Sequence, residues 1–95
     1  MDVLQHRFLV YYHGSDSFTL LGYPLSLSRT EHRLLLAVLT AGERSPEQLA
    51  AVLGRQLSRG AIAAHVCGIN KKAAAISGRR LLEYRGGAYR LFHYM

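Results

Sequence analysis

The chain has a single cysteine, Cys67, and no tryptophan among its 95 residues. One cysteine excludes an internal disulfide bond and a zinc site built on cysteine pairs. The longest uninterrupted apolar run, residues 34–39, is far too short to cross a bilayer, and the N-terminus lacks the basic-then-apolar order of a signal peptide. We therefore expect a cytoplasmic protein with no membrane partner.

Acidic residues are scarce in the C-terminal part of the chain. Residues 1–54 carry four Lys/Arg against five Asp/Glu, a net charge of −1, whereas residues 55–95 carry eight Lys/Arg against one acid, Glu83, a net charge of +7. Such a concentration of positive charge favours a polyanionic partner, although an ordinary solvated basic surface is the alternative.

Turn residues and apolar periodicity predict one domain, residues 1–95, in three consecutive parts. Residues 1–27 hold short apolar strands at 7–12, 18–21 and 25–27, separated by turns, which predict a small antiparallel sheet. Residues 28–78 predict three helices. Residues 79–95 predict a β-hairpin whose strands, 80–84 and 88–92, flank the turn Arg85-Gly86-Gly87. The predicted fold class is therefore α+β.

Each predicted helix has a start signal. Ser28 with Glu31, and Ser45 with Gln48, have the spacing of a capping box, and Ser58 precedes the third helix. The third helix is predicted over residues 59–76 because apolar residues recur at helical spacing: Ile62, Val66, Ile69, Ala73 and Ile76. Rotation by the helical period leaves an almost bare opposite face: Gly60, Ala64, Cys67, Gly68, Lys71, Ala74 and Ala75.

This ordered set of motifs resembles the winged-helix effector domain of OmpR/PhoB-type response regulators. The resemblance covers nearly the whole chain and is carried by Leu25-Ser26-Leu27-Ser28 before Thr30-Glu31, by Ser45-Pro46-Glu47-Gln48-Leu49, by Ile62, His65-Val66 and Ile69-Asn70-Lys71-Lys72, and by Arg85-Gly86-Gly87-Ala88-Tyr89-Arg90-Leu91. The chain departs from the family where Cys67 and Gly68 replace arginines of the third helix and where Ala88 replaces the second glycine of the wing.

The resemblance implies a winged helix-turn-helix with a small N-terminal antiparallel sheet, three helices and a C-terminal hairpin wing. It further implies a nucleoid-associated bacterial transcription regulator, with the third helix in the major groove of DNA and the wing arginine toward the minor groove. A phospho-acceptor receiver domain is absent, so we expect a stand-alone regulator or an excised effector domain. The predicted ligands of double-stranded DNA are Arg59, Asn70, Lys71, Lys72, Arg79, Arg80, Arg85 and Arg90.

Two interpretations from different classes remain open at this point. In the first, the arginines and lysines bind phosphates, and Asn70, Lys71 and Arg85 provide modest sequence preference. In the second, the bare face of the third helix packs against a protein partner or a second copy of the chain. An enzyme is the least favoured class: the five histidines offer no helical metal-binding pair, and there is no nucleophile elbow or carboxylate pair. We expect no cofactor, no metal and no small-molecule substrate.

Overall fold

Three helices and two antiparallel sheets form the part of the chain that the structure, a computed structural model, describes: residues 2–54 and 57–92. Arg55 and His93, which the sequence analysis counted, lie outside the described residues. The first sheet has the order β1-β2-β3-β4, with strands Val3–His6, Leu9–Tyr12, Ser17–Leu20 and Tyr23–Leu25. The remaining elements are α1 (Arg29–Ala41), β5 (Glu43–Arg44), α2 (Pro46–Val52), α3 (Arg59–Ser77), β6 (Leu82–Arg85) and β7 (Ala88–Leu91). The predicted α+β class is confirmed.

The first sheet differs from its prediction at both edges. The predicted strand 7–12 starts only at Leu9, because Arg7 has a positive φ of 57° and lies in the turn between β1 and β2. Strand β1 itself was not predicted. At the other edge, β4 continues through Pro24, which lies in the turn predicted between strands 18–21 and 25–27. Proline is tolerated there because an edge strand has backbone N–H groups that need no ladder partner.

The helix starts and the buried stripe of α3 agree with the sequence prediction. Both capping boxes are formed: Ser28 Oγ accepts from the Glu31 N–H and Ser45 Oγ accepts from the Gln48 N–H, with each acidic or amide side chain returning a bond to the cap N–H. The stripe of α3 packs into a core shared with α1 and β6–β7. Its buried members are Ile62, Val66, Ile69 and Ala73.

The second sheet has the order β5-β7-β6 and was predicted only in part. β6 and β7 form the expected hairpin, but its loop has two residues, Gly86 and Gly87, both with positive φ (61° and 84°). Arg85 therefore belongs to β6, where it pairs with Ala88, and not to the turn. Strand β5 is two residues long and pairs with β7, so β7 is the central strand. Two residues are too few for a recognisable strand pattern.

Gly68 does not lie on the exposed face of α3 as predicted. It faces the carboxylate of Glu31 on α1, and a Cβ built at Gly68 would overlap Glu31 Oε2. The same carboxylate is buried, accepts the Ser28 N–H and accepts a hydrogen bond from Lys72 Nζ. Only a residue without a side chain lets this three-way contact form between α1 and α3.

We predict opposite effects for the same substitution at the two glycines of α3. Gly60→Ala should raise the free energy of unfolding by about 0.5–1 kcal/mol, since alanine favours helix and its Cβ would be 3.8 Å from the nearest atom, Ser58 Oγ. Gly68→Ala should lower it by about 1 kcal/mol, because displacing Glu31 costs more than the helix propensity contributes. Urea denaturation measures both. Equal stabilisation by the two substitutions would show that Glu31 does not require the space at Gly68.

Candidate nucleic-acid interface

An open groove runs between the exposed face of α3 and the hairpin formed by β6 and β7. Its cavity volume is about 630 Å³. Helix α3 contributes small residues and one cation, while the hairpin side contributes larger residues. The groove lining includes Ala63, Cys67, Asn70, Lys71 and Ala74 from α3, and Arg80, Leu82, Glu83, Tyr84, Tyr89 and Phe92 from the hairpin and its flanks. The two elements predicted to meet DNA therefore border one surface.

Six of the eight predicted DNA ligands are exposed: Arg59, Lys71 and Lys72 on α3, and Arg79, Arg80 and Arg85 on the hairpin side. Lys71 lines the groove from α3, and Arg85 lies at the end of β6 beside the turn. Arg79 and Arg80 are exposed in the connection between α3 and β6, where the Arg80 guanidinium lies 5.4 Å from the centroid of the Phe92 ring. Within residues 2–54 and 57–92, Lys71 and Arg85 form no ion pair. These two cations can meet an external anion without first breaking an internal salt bridge.

Arg59, the first residue of α3, is held by an acidic residue of α2. Its Nη2 donates to Glu47 Oε1 over 2.6 Å, and the two side chains are 71% and 64% exposed. The hydrogen bond that Arg59 donates to Glu47 raises the pKa of Arg59 above its ordinary value. Exposed ion pairs contribute at most about 1 kcal/mol, so a phosphate can compete with Glu47 for this guanidinium.

Lys72 is bound to a buried carboxylate and serves the fold. Its Nζ donates to Glu31 Oε1 over 2.5 Å, and the Glu31 side chain is only 9% exposed. Burial by itself would raise the pKa of Glu31, but the hydrogen bonds from Lys72 and from the Ser28 N–H outweigh it, and the pKa lies below its ordinary value. Removing Lys72 to a phosphate would leave a buried charge without its partner, which is costly.

Arg90 is likewise used within the second sheet. It lies on the central strand β7, directly opposite Glu43 of β5 and Glu83 of β6. Its buried Nε lies 3.5 Å from Glu83 Oε2. An arginine between two acidic residues on neighbouring strands stabilises the sheet through cross-strand attraction. The structure thus directs Arg90 away from the role of phosphate ligand.

Asn70 was predicted to read base edges, but its amide is bound to the hairpin. Oδ1 accepts from the N–H groups of Leu81 (2.9 Å) and Leu82 (2.8 Å), while Nδ2 donates to the Leu82 carbonyl (3.1 Å). This arrangement has a physical reason: β6 is an edge strand beside α3, and its outward backbone groups need partners. Helical periodicity puts Asn70 at the border of the buried stripe but cannot reveal this partner.

A second polar cluster, not predicted from the sequence, lies on the outer side of α1. Asp16 Oδ1 accepts from Tyr11 Oη and lies 2.9 Å from His32 Nε2. The Tyr11 hydrogen bond lowers the pKa of Asp16 and raises that of Tyr11. Arg29 and Arg33 lie on this same side of α1 and line a separate depression with Asp16 and His32. This cluster therefore joins the first sheet to α1 without reaching the groove.

Neither a protein-family model nor a curated protein matches this sequence. Across residues 2–54 and 57–92, no three His, Cys, Asp or Glu side chains are grouped so that they could hold a metal ion. In the same residues, no helix has the length and apolar character needed to span a membrane.

We predict that the Glu31–Lys72 pair makes stability depend on acid pH. Because the folded pKa of Glu31 is lowered, the pair stabilises the fold above the ordinary carboxyl pKa of 4.5, and this stabilisation is lost as the pH falls through the folded value. Glu31→Gln keeps the capping acceptor but removes the charge. It should reduce the free energy of unfolding by about 1–2 kcal/mol at pH 7, with a smaller difference from wild type at pH 3.

Urea denaturation at pH 7, 5, 4 and 3 measures this difference. Asp2→Asn, which removes an exposed carboxylate before β1, is the control and should unfold at nearly the same urea concentration as wild type at pH 7. A Glu31→Gln deficit of equal size at every pH would show that the charge of Glu31 does not stabilise the fold.

Proposed function

We propose that this protein is a DNA-binding domain of the winged-helix type that acts in transcription regulation. In this proposal α3 lies in the major groove and the hairpin is the wing. One observation carries it: the exposed face of α3 with Lys71, and the hairpin side with Arg80, border the same open groove. The motif resemblance described above supports the same assignment.

Charge and reach favour the phosphate backbone as the main target. Lys71, Arg79, Arg80 and Arg85 are exposed, and they belong to the part of the chain that carries a net charge of +7. Lysine and arginine side chains of this kind supply sequence-independent attraction through counterion release. Arg59 would add a fifth contact when a phosphate replaces Glu47.

Base reading is expected to be weak for one copy of the domain. The Asn70 amide is bound to β6, and the uncharged residues of the α3 face have small side chains, such as Ala63, Cys67 and Ala74. Lys71 is the residue on this face best able to reach a base edge. Two copies on adjacent half-sites would restore discrimination, as in many helix-turn-helix regulators.

A second candidate function is suggested by the uncharged part of the groove. Ala63, Cys67 and Ala74 face Tyr84 and Phe92 across it, a lining that also suits a protein partner or a second copy of the chain. In that case the domain would be an interaction module without specific DNA binding. The same experiments separate the two candidates.

We predict that binding to a random duplex weakens steeply with salt. Four phosphate contacts correspond to a slope of log Kobs against log salt of about −3.6, at about −0.9 for each contact. Lys71→Ala, Arg80→Ala and Arg85→Ala should each make the slope shallower by about 0.9. The two arginine substitutions should weaken binding to all sequences alike. Fluorescence anisotropy with a labelled duplex, titrated at several salt concentrations, gives these slopes.

Arg29→Ala is the matched control because it removes the same charge from the outer side of α1. It should leave the slope unchanged, and an effect equal to that of Arg85→Ala would show that binding depends only on net charge. Failure of the protein to bind duplex DNA at low salt would contradict the proposed function. If that protein also self-associates in sedimentation experiments, and Ala63→Glu abolishes the association, the interaction module is favoured.

A further inference from the structure

The free edge of β6 faces α3, and only part of it is available to a neighbour. The Phe92 N–H donates to the Leu81 carbonyl over 3.1 Å, which places the pair 81/92 in the hydrogen-bonded register. Such pairs alternate along an antiparallel ladder, so Glu83 and Arg85 also bond to β7. Leu82 and Tyr84 therefore direct their backbone N–H and carbonyl groups away from β7, toward the free edge.

Asn70 occupies the place of a neighbouring strand at Leu82. Its Oδ1 accepts the Leu82 N–H at 2.8 Å and its Nδ2 donates to the Leu82 carbonyl at 3.1 Å, the same pair of bonds that a residue on an added strand would form. The additional bond from the Leu81 N–H, 2.9 Å long, uses the second lone pair of Oδ1. An amide side chain can provide the acceptor and the donor together, whereas alanine provides neither.

These bonds connect α3 and the hairpin, the two elements of the proposed interface. Lys71 follows Asn70 on α3, and Arg85 ends the strand that begins at Leu82. Buried contacts of Leu82, Tyr89 and Leu91 hold the hairpin on the core, but the hydrogen bonds found between α3 and the backbone at the start of β6 all come from Asn70 in the described residues. The spacing between Lys71 and Arg85 thus depends in part on this side chain.

We propose that Asn70 is a positioning residue of the interface: it fixes the hairpin against α3 so that Lys71 and Arg85 bind phosphates in the same complex. This inference rests on the proposed DNA-binding function. It replaces base reading by Asn70 with a role exerted through the hairpin. Loss of the amide should uncouple the hairpin contact while leaving the α3 contact in place.

The first test needs no DNA. Amide hydrogen exchange of the full chain, followed by NMR, should show at least tenfold faster exchange at Glu83 and Arg90 in Asn70→Ala than in wild type. Neither amide is bonded to Asn70, so the change reports motion of the hairpin and not only a lost partner. The amides of Val66 and Ile69 in α3 should be unchanged. Equal acceleration in α3 and hairpin would mean that Asn70 adds only global stability and would overturn the inference.

The second test compares Arg85→Ala in two backgrounds. In wild type it should make the salt slope shallower by about 0.9, and in Asn70→Ala by close to zero, because the hairpin contact is already lost. Lys71→Ala should have the same effect on the slope in both backgrounds. An Arg85 effect that persists in folded Asn70→Ala would overturn the inference even though the protein binds DNA.

Asn70→Asp is the second variant, and it also serves if Asn70→Ala does not fold. The aspartate keeps the acceptor for the Leu81 and Leu82 N–H groups but loses the donor to the Leu82 carbonyl. The Arg85 effect on the slope should therefore return in part, to about 0.5, although the added negative charge weakens binding overall. Its loss in folded Asn70→Asp would overturn the inference. Failure of the wild type to bind duplex DNA would instead remove the proposed function, and the exchange experiment would then decide whether Asn70 fixes the hairpin.

Discussion

The contact of Glu31 with Gly68 and Lys72 is the constraint on which the position of α3 depends. A carboxylate taken out of water needs several partners, and Glu31 finds them in the N-terminus of its own helix and in the ammonium group of Lys72. Gly68 is what allows α3 to come close enough, since any side chain there would fill the space of Glu31 Oε2. The start of α1 and the middle of α3 are therefore joined by one polar contact at the edge of an apolar core.

Asn70 supplies the corresponding contact between α3 and the hairpin. Lys72 and Asn70 both lie on α3 but contact different elements, so the helix is held by polar bonds to Glu31 of α1 through Lys72 and to the start of β6 through Asn70. What remains outside these contacts is the strip that lines the groove, with Ala63, Cys67 and Lys71 one helical turn apart. The α3 face thus presents mainly small side chains, because the larger polar residues Asn70 and Lys72 contact β6 and α1 and hold the helix in place.

The sequence could predict what depends on neighbours along the chain. The caps at Ser28 and Ser45 and the buried stripe through Ile69 depend on residues three or four positions away, and all agree with the structure. The surroundings of Gly68 and Asn70 depend instead on contacts with residues of other elements. Glu31 is far from Gly68 in the sequence, and Leu82 lies beyond the turn that follows α3, so helical periodicity cannot predict either contact. Strands β1 and β5 were not predicted for a related reason. Each is short and is stabilised by its pairing with β2 or β7 and not by its own sequence pattern.

Contacts between distant parts of the chain also separate the candidate DNA ligands into those that can bind a phosphate and those that hold the fold together. Sequence alone counts eight residues as equivalent, but in the described part of the chain Arg59, Lys72 and Arg90 lie beside carboxylates whose burial differs. Glu47 is exposed and returns to water when a phosphate takes Arg59, so that exchange costs little. Glu31 is buried, and releasing Lys72 would leave its charge unpaired in the core. Arg90 has its Nε buried beside Glu83, so moving it would disturb the sheet that carries Arg85. The cations able to bind a polyanion are therefore those that can leave their partners within the protein without destabilising the fold.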